Sequence, residues 1–419
     1  MQEADTFAAL ADALRASGRA AEADEAQMAA IALAERSALM FYNLGTFYLM
    51  TKRPALAVRW LRAALDVDPA LVAAHQNLSA ALELEGSTAA AQHHRDEAYR
   101  RQCLFVDGAP TAVRGVLVLC TAGTGTVPLD FLLPQARNRR LKWIMEYASL
   151  DQVAQLPQYD VVFNAIGDPD VTAASRDTVR RFLETCRKPV VNPPVAVART
   201  SRDRIPELLK DIDDVLVPAT VRLPAHAEVR ARFEQLEIAG VHPPLLLRPV
   251  GSHGGRGLEL IETPAALAAA GTGADSYASV YHDYRSADGY YRKYRVVFVD
   301  RQPYPYHLAI SADWLVHYVS ADMLPHRWKR DEELRFLADP GSVLGERGMN
   351  ALAAIGQRLD LDYCGVDFSI AGDGRILVFE ANATMLVHTE DFHDALKFKN
   401  PYVRRILDAF DALLEHRGD

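Results

Sequence analysis

The first hundred residues nearly repeat themselves every 34 positions, and a repeat of that length leaves few folds open. Leu10, Leu44 and Leu78 fall in phase, as do Leu14, Tyr48 and Leu82. Small residues recur at Ala23, Ala57 and Ala91, and again at Ala30, Ala64 and Ala98. Gly18 and Gly86 take one equivalent place, with Lys52 between them. The middle unit is the clearest, with Leu44-Gly45 followed by Tyr48, Ala57, Leu61, Ala64 and Pro69. Alanines at fixed places let two helices approach closely. A helical hairpin so built covers its apolar stripe only by stacking on the next one. Residues 1–106 are therefore expected to form an all-α domain of three helical repeats.

This stretch resembles the tetratricopeptide repeat over about residues 4–103, in its period and in its alternation of small and large residues. The resemblance implies a concave surface that holds a peptide or a partner protein. A structural extension that packs on its own catalytic domain or on a second subunit fits the sequence equally well.

At 419 residues the chain has room for two to three domains. Its 49% hydrophobic and 24% charged residues are those of an ordinary globular protein. A net charge of −9 argues against a nucleic-acid partner. Cys103, Cys120, Cys186 and Cys364 show no metal-type spacing and read as free thiols of a reducing cytoplasm. The acidic start Met1-Gln2-Glu3-Ala4-Asp5 does not read as a signal peptide, and no run reaches the roughly 20 apolar residues that span a bilayer. Oligomeric state is not legible, although a homodimer is the commonest assembly.

Turn residues at Asp107-Gly108-Ala109-Pro110 close the helical region. Strands at 115–120, 159–166 and 189–191, with a helix at 172–187, suggest a small α/β domain with a mainly parallel sheet over 111–195. The first strand runs into Thr121-Ala122-Gly123-Thr124-Gly125-Thr126, a weak anion-loop signal without GxGxxG spacing or a P-loop lysine. A helix at 203–210 and a strand at 215–218 follow.

Near the end, Asp362 to Ile370 and Arg375 to Asn382 are two strand-like runs joined by Ala371-Gly372-Asp373-Gly374, a hairpin signal. With Ile370 opposite Arg375, Asp367 lies opposite Val378 and one diagonal step from Glu380; Asn382 shares that face. Two carboxylates and an amide oxygen are hard donors that suit Mg²⁺. An acidic hairpin edge without any ion is the alternative. Upstream, Leu245 to Val250 carries Arg248 into Gly251-Ser252-His253-Gly254-Gly255-Arg256-Gly257 and then back into a strand. Four glycines in seven residues leave backbone N–H groups open to phosphate oxygens, in a hairpin flap rather than a P-loop. A mobile turn is the plainer reading. A strand at 279–284 and a basic one at 294–300, preceded by Arg292 and Lys293, complete the order.

That order resembles the ATP-grasp superfamily, and within it the glutathione synthetase-like carboxylate–amine ligases, over about 111–419. The resemblance implies an α+β ATP-grasp domain over 196–419, with subdomains at about 196–277 and 278–419, behind an α/β pre-ATP-grasp domain. It implies ATP and Mg²⁺ as cofactors, with Asp367, Glu380 and Asn382 as metal ligands. Arg248 then holds phosphates under the 251–257 flap. Val280, Tyr281, His282 and Asp283 meet adenine and ribose. Arg295 faces the transferred phosphate, and Arg204 supplies another nucleotide-side cation. Arginine stands at both nucleotide-side positions where the family usually has lysine, and the two are not equivalent.

The expected activity is amide formation through an acyl phosphate, on small-molecule or peptide carboxylate and amine substrates. A catalytically weak nucleotide-binding scaffold and an ATP-grasp kinase are the alternatives. His307, His317 and the aromatics between 301 and 339 could line an acceptor pocket; buried core histidines and a solvated loop at 326–330 are the plainer reading.

Overall fold

A computed structural model describes residues 2–252, 254–270 and 273–418. His253 of the flap lies outside the described residues. The chain divides into two units, Met1–Phe105 and Val106–Asp419.

The described residues of the first unit form six helices: α1 (Gln2–Ala16), α2 (Ala20–Glu35), α3 (Ala38–Met50), α4 (Pro54–Val67), α5 (Val72–Leu84) and α6 (Thr88–Arg101). They pack as successive pairs, and the 34-residue period is written into the backbone. Gly18, Lys52 and Gly86 end the first helix of each pair with φ of 76°, 59° and 76°. The next N–H in each case donates back to a carbonyl five residues earlier: Arg19 to Leu14, Arg53 to Tyr48 and Ser87 to Leu82, each at 2.9 Å. This is a Schellman-type stop used three times. Ala23, Ala57, Ala91, Ala64 and Ala98 are sealed in the helix contacts. A Cβ on Gly45 would meet Leu61 Cγ at 2.6 Å, so α3 and α4 approach too closely for any side chain there. Leu10 departs from the phase: it is 46% exposed, whereas Leu44 and Leu78 are buried.

Strand β1 (Leu104–Asp107) leads into the second unit. Strands β2 (Arg114–Cys120), β3 (Asn138–Ile144), β4 (Val161–Asn164) and β5 (Val190–Val191) run parallel in the order β3-β2-β4-β5. Helix α7 occupies Arg176–Thr185, shorter than the expected 172–187. The glycine-rich loop after β2 is folded on itself. Thr121 N–H donates to Thr126 Oγ1 at 3.0 Å, and Ala122 N–H donates to the Glu146 carboxylate at 3.2 Å.

Two antiparallel-based sheets follow. After α8 (Pro194–Val197), α9 (Ile205–Leu209) and β6 (Val215–Leu216) come β7 (Thr220–Leu223), α10 (Val229–Ile238), β8 (Leu245–Pro249), β9 (Glu259–Ile261), α11 (Pro264–Ala269) and β10 (Ser276–Val280). Strands β7-β10-β8-β9 form one sheet. The other, β12-β11-β13-β14-β6, uses β11 (Tyr291–Val299), β12 (Gln302–Ser311), β13 (Tyr363–Ile370) and β14 (Ile376–Asn382). Helices α12 (Arg327–Ala338), α13 (Pro340–Leu359) and α14 (Asn400–Gly418) complete the unit. Residues 326–330 are thus the start of a helix and not a loop: Lys329 is buried and donates to the Ala321 carbonyl at 2.6 Å.

The carboxylate hairpin has a register other than the expected one. Ile370 pairs with Ile376, not Arg375, because the loop runs one residue longer. Phe368 pairs with Val378, and the ladder then slips so that Asp367 faces Glu380 directly. Phe379 is the extra residue of a β-bulge. A bulge lets two consecutive side chains share one face, and both Phe379 and Glu380 line the cavity described next.

Candidate functional site

A cavity of about 200 Å³ is lined from both antiparallel-based sheets. Its polar end is built on three neighbouring strands. Asp367 on β13 pairs with Glu380 on β14 and, on its other side, with Arg295 on β11. The Arg295 guanidinium meets the Asp367 carboxylate in two bonds, Nε to Oδ1 at 2.5 Å and Nη2 to Oδ2 at 2.8 Å. Lys293, two residues earlier on the same strand and hence on the same face, reaches Asp367 at 3.3 Å. Arg202 donates to Glu380 at 2.6 Å, and Arg248 at 3.4 Å from β8.

Four cations thus line the cavity with two carboxylates, an excess of 4 − 2 = +2. Burial alone would raise both carboxyls. For Asp367, Arg295 and Lys293 overcome it and hold the group far below its ordinary range. For Glu380, Arg202 and Arg248 do the same, leaving it at about 2. Burial would lower the Arg295 guanidinium, but Asp367 raises it instead. Burial, with Arg202 close by, lowers Arg248 from its ordinary value. Both carboxylates are ionised at neutral pH, and the cavity is lined by more cationic than anionic side chains. Such a cavity suits a polyphosphate accompanied by a divalent ion.

The glycine hairpin turns between β8 and β9, which pair antiparallel, Leu245 with Ile261. Gly254 and Gly255 line the cavity. Gly251, Ser252, Arg256 and Gly257 do not; they form the shoulders of the turn. Ser252 is tied to the base of the flap by Arg248, whose Nε donates to the hydroxyl at 3.1 Å and Nη2 to the carbonyl at 2.5 Å. Gly251, Gly254, Gly255 and Gly257 all have φ between 63° and 76°, a conformation that favours glycine.

The apolar end includes Val217, Leu246, Val280, Leu377 and Phe379. Val280, Tyr281 and His282 line the cavity, with their backbone partly engaged. Val280 N–H donates to Ala219 at 3.0 Å and Tyr281 N–H to Pro244 at 3.2 Å. Asp283 lies outside the cavity lining: it is exposed and accepts the Arg285 N–H at 3.1 Å.

Arg204 is likewise outside. It caps the start of α9, is exposed, and donates to the Ala198 carbonyl at 3.3 Å. Arg202, in the turn two residues earlier, is the arginine that enters the cavity. Asn382 faces a second, small cavity of about 20 Å³ that also touches Arg202. Its Oδ1 accepts from Thr384, from N at 2.6 Å and Oγ1 at 2.5 Å. Among the described residues no three His, Cys, Asp or Glu side chains converge as a metal site. Asp367 and Glu380 bring two hard carboxylate donors of the kind that suits Mg²⁺ to the first cavity, whereas the Asn382 amide oxygen faces the second one and is engaged by Thr384.

Arg202, Lys293 and Phe379 were not among the residues expected at the site; of those expected to line an acceptor pocket, Trp314 and His317 line this cavity, while His307 is buried and does not. Lys293 was detectable, since i and i+2 on a strand share a face with Arg295. Trp314 and His317 come from an irregular loop and carry no periodic signal.

No family model matches the chain, and no curated protein matches it. Solved structures similar to it include a D-alanine–D-alanine ligase from Bacillus anthracis complexed with ATP, at 12% identity and a TM-score of 0.43, covering 73% of this chain and 99% of that one. D-alanyl-alanine synthetase A from Vibrio cholerae has 12% identity, a TM-score of 0.44 and the same coverage, 73% and 99%. A RimK domain protein ATP-grasp from Sphaerobacter thermophilus has 18% identity and a TM-score of 0.40, covering 69% and 99%. Among the described residues no helix is long and apolar enough to cross a membrane.

Proposed function

We propose that the chain is an ATP-dependent carboxylate–amine ligase that works through an acyl phosphate. One observation carries the reading: Asp367 and Glu380 stand opposite each other at a bulge, ringed by Arg202, Arg248, Lys293 and Arg295, beside a glycine hairpin. A carboxylate is a poor electrophile. Its oxygen attacks the terminal phosphorus of ATP, the bond to the bridging oxygen breaks, and ADP leaves. The acyl phosphate then has a good leaving group. An amine attacks its carbonyl carbon, loses a proton and expels phosphate, leaving an amide.

The protein's part is positioning and charge neutralisation. Arg248 and the amides of Gly254 and Gly255 hold phosphates. Arg295 and Lys293 neutralise the group in transfer and the oxyanion of the tetrahedral intermediate. Val217, Leu246, Val280 and Phe379 shelter the base. Asp367 and Glu380, with Asn382 at the strand end, would hold magnesium, which when bound offsets phosphate charge. The helical repeats, on their likeness to tetratricopeptide units, present a peptide or protein substrate.

The test is ADP release from protein, ATP and Mg²⁺ with amino-acid and peptide mixtures, followed by product mass. Two molecules joined with loss of water support a ligase. Gain of a phosphate indicates a kinase, and no ADP release with any mixture refutes both. Glu380→Ala should abolish turnover; near-normal turnover in that variant would refute the site assignment.

A further inference from the structure

His317 has no part in the chemistry proposed above, yet it lines the cavity beside Lys293, Arg295 and Asp367. It sits between β12 and the short turn Tyr318–Ser320, which it caps. Its backbone is fixed there: its carbonyl accepts from Ser320 N–H at 3.0 Å and from the Ser320 hydroxyl at 3.2 Å. Its Nδ1 accepts the Val319 N–H at 3.4 Å. A ring nitrogen that accepts carries no proton, so in the neutral imidazole the proton is on Nε2. Nε2 faces the flap: a Cβ built on Gly254 would lie 3.6 Å from it. Burial, then Lys293 and Arg295, push the imidazole below its ordinary value, which keeps it uncharged.

We propose that His317 is a catalytic residue whose Nε2–H donates a hydrogen bond to the phosphoryl group in transfer, opposite the flap glycines. The inference rests on the nucleotide-binding reading above. Four cations already supply charge, and they act with little directionality except where a guanidinium is bidentate. A neutral N–H adds direction at one oxygen without further repulsion among the cations. A backbone N–H at Nδ1 also argues against His317 as a base, since the nitrogen facing the cavity carries the proton.

The experiment measures binding of ADP, ATP, and ADP with aluminium fluoride, all with Mg²⁺, to wild type, His317→Ala, His317→Gln and His317→Asn. ADP lacks the contacted group, so its affinity should be the same in all four. His317→Ala should weaken ATP, and more so ADP–aluminium fluoride, on the order of 10-fold for a lost bond to a charged acceptor. Glutamine places an N–H where Nε2 stood and should restore most of the loss; asparagine is too short and should not. Unchanged ATP and ADP–aluminium fluoride binding in His317→Ala overturns the inference alone. Equal loss for ADP overturns it too, since a general disturbance of the cavity would do that. Failure of the wild type to bind ADP with Mg²⁺ overturns the nucleotide reading itself.

Discussion

Replacing Glu380 by glutamine should make ATP bind more tightly when magnesium is absent. In the structure Arg202 and Arg248 are spent on Glu380, at 2.6 and 3.4 Å. Phosphates must draw them off that carboxylate first. The Glu380 carboxyl is held at about 2 against an ordinary 4.5, a drop worth about 3 kcal/mol of net attraction. Glutamine is isosteric and neutral, so most of that competing attraction disappears and the cavity excess rises from +2 to +3. About 3 kcal/mol corresponds to an affinity gain of up to roughly 10²-fold. With magnesium the sign reverses, because the ion loses one of its two carboxylates. The assay is calorimetric titration with ATP in EDTA and again with excess Mg²⁺. Wild type should gain affinity on adding Mg²⁺, and Glu380→Gln should gain much less. An EDTA affinity in the variant equal to or below wild type would refute the picture of a carboxylate and a polyphosphate competing for the same arginines.

Two predictions concern the helical unit. Burial, then His75, His93 and Arg62, hold His94 at about 4, with its Nδ1 2.9 Å from His75 Nδ1. A histidine kept neutral in the fold gives stability that is whole above its unfolded value near 6.5 and lost as pH falls toward 4. The melting temperature of the full chain, followed by helical circular dichroism, should fall over that window, and His94→Gln should lessen the fall; identical slopes would contradict it. Lys52 occupies the left-handed stop that glycine fills in the other two repeats, with φ of 59°. Lys52→Gly should raise stability by about 0.5–1 kcal/mol in a denaturant titration, whereas a loss would show that the lysine side chain is held by contacts worth more than the strain.

What the sequence made legible follows the physics of each element. The 34-residue period could be read because Ala57, Ala64 and Ala91 must be small wherever helices touch, and that requirement leaves a trace in composition. The acidic hairpin was readable as a hairpin, but its register was not. One added loop residue and the bulge at Phe379 each move the pairing by one, and neither has a compositional mark. The two offsets replaced a diagonal relation of Asp367 to Glu380 by a direct one. Arg204 and Arg202 differ only in where α9 begins, Ile205, a boundary that propensity locates no better than a residue or two. The loop around His317 follows no period; its density of histidines and aromatics hinted at a pocket, but which of them reach it, Trp314 and His317 and not His307, is set by the fold.

The bulge on β14 has one more consequence. Phe379 rests on Tyr284, ring centroids 4.9 Å apart, and Glu380 is the very next residue. The greasy floor of the hollow and its key anion are therefore joined by a single peptide bond. A swap that changes how that ring lies must tilt the neighbouring acid as well. On the nucleotide reading proposed above, fit to an aromatic base and hold on an ion are thereby coupled: a variant that tunes one retunes the other.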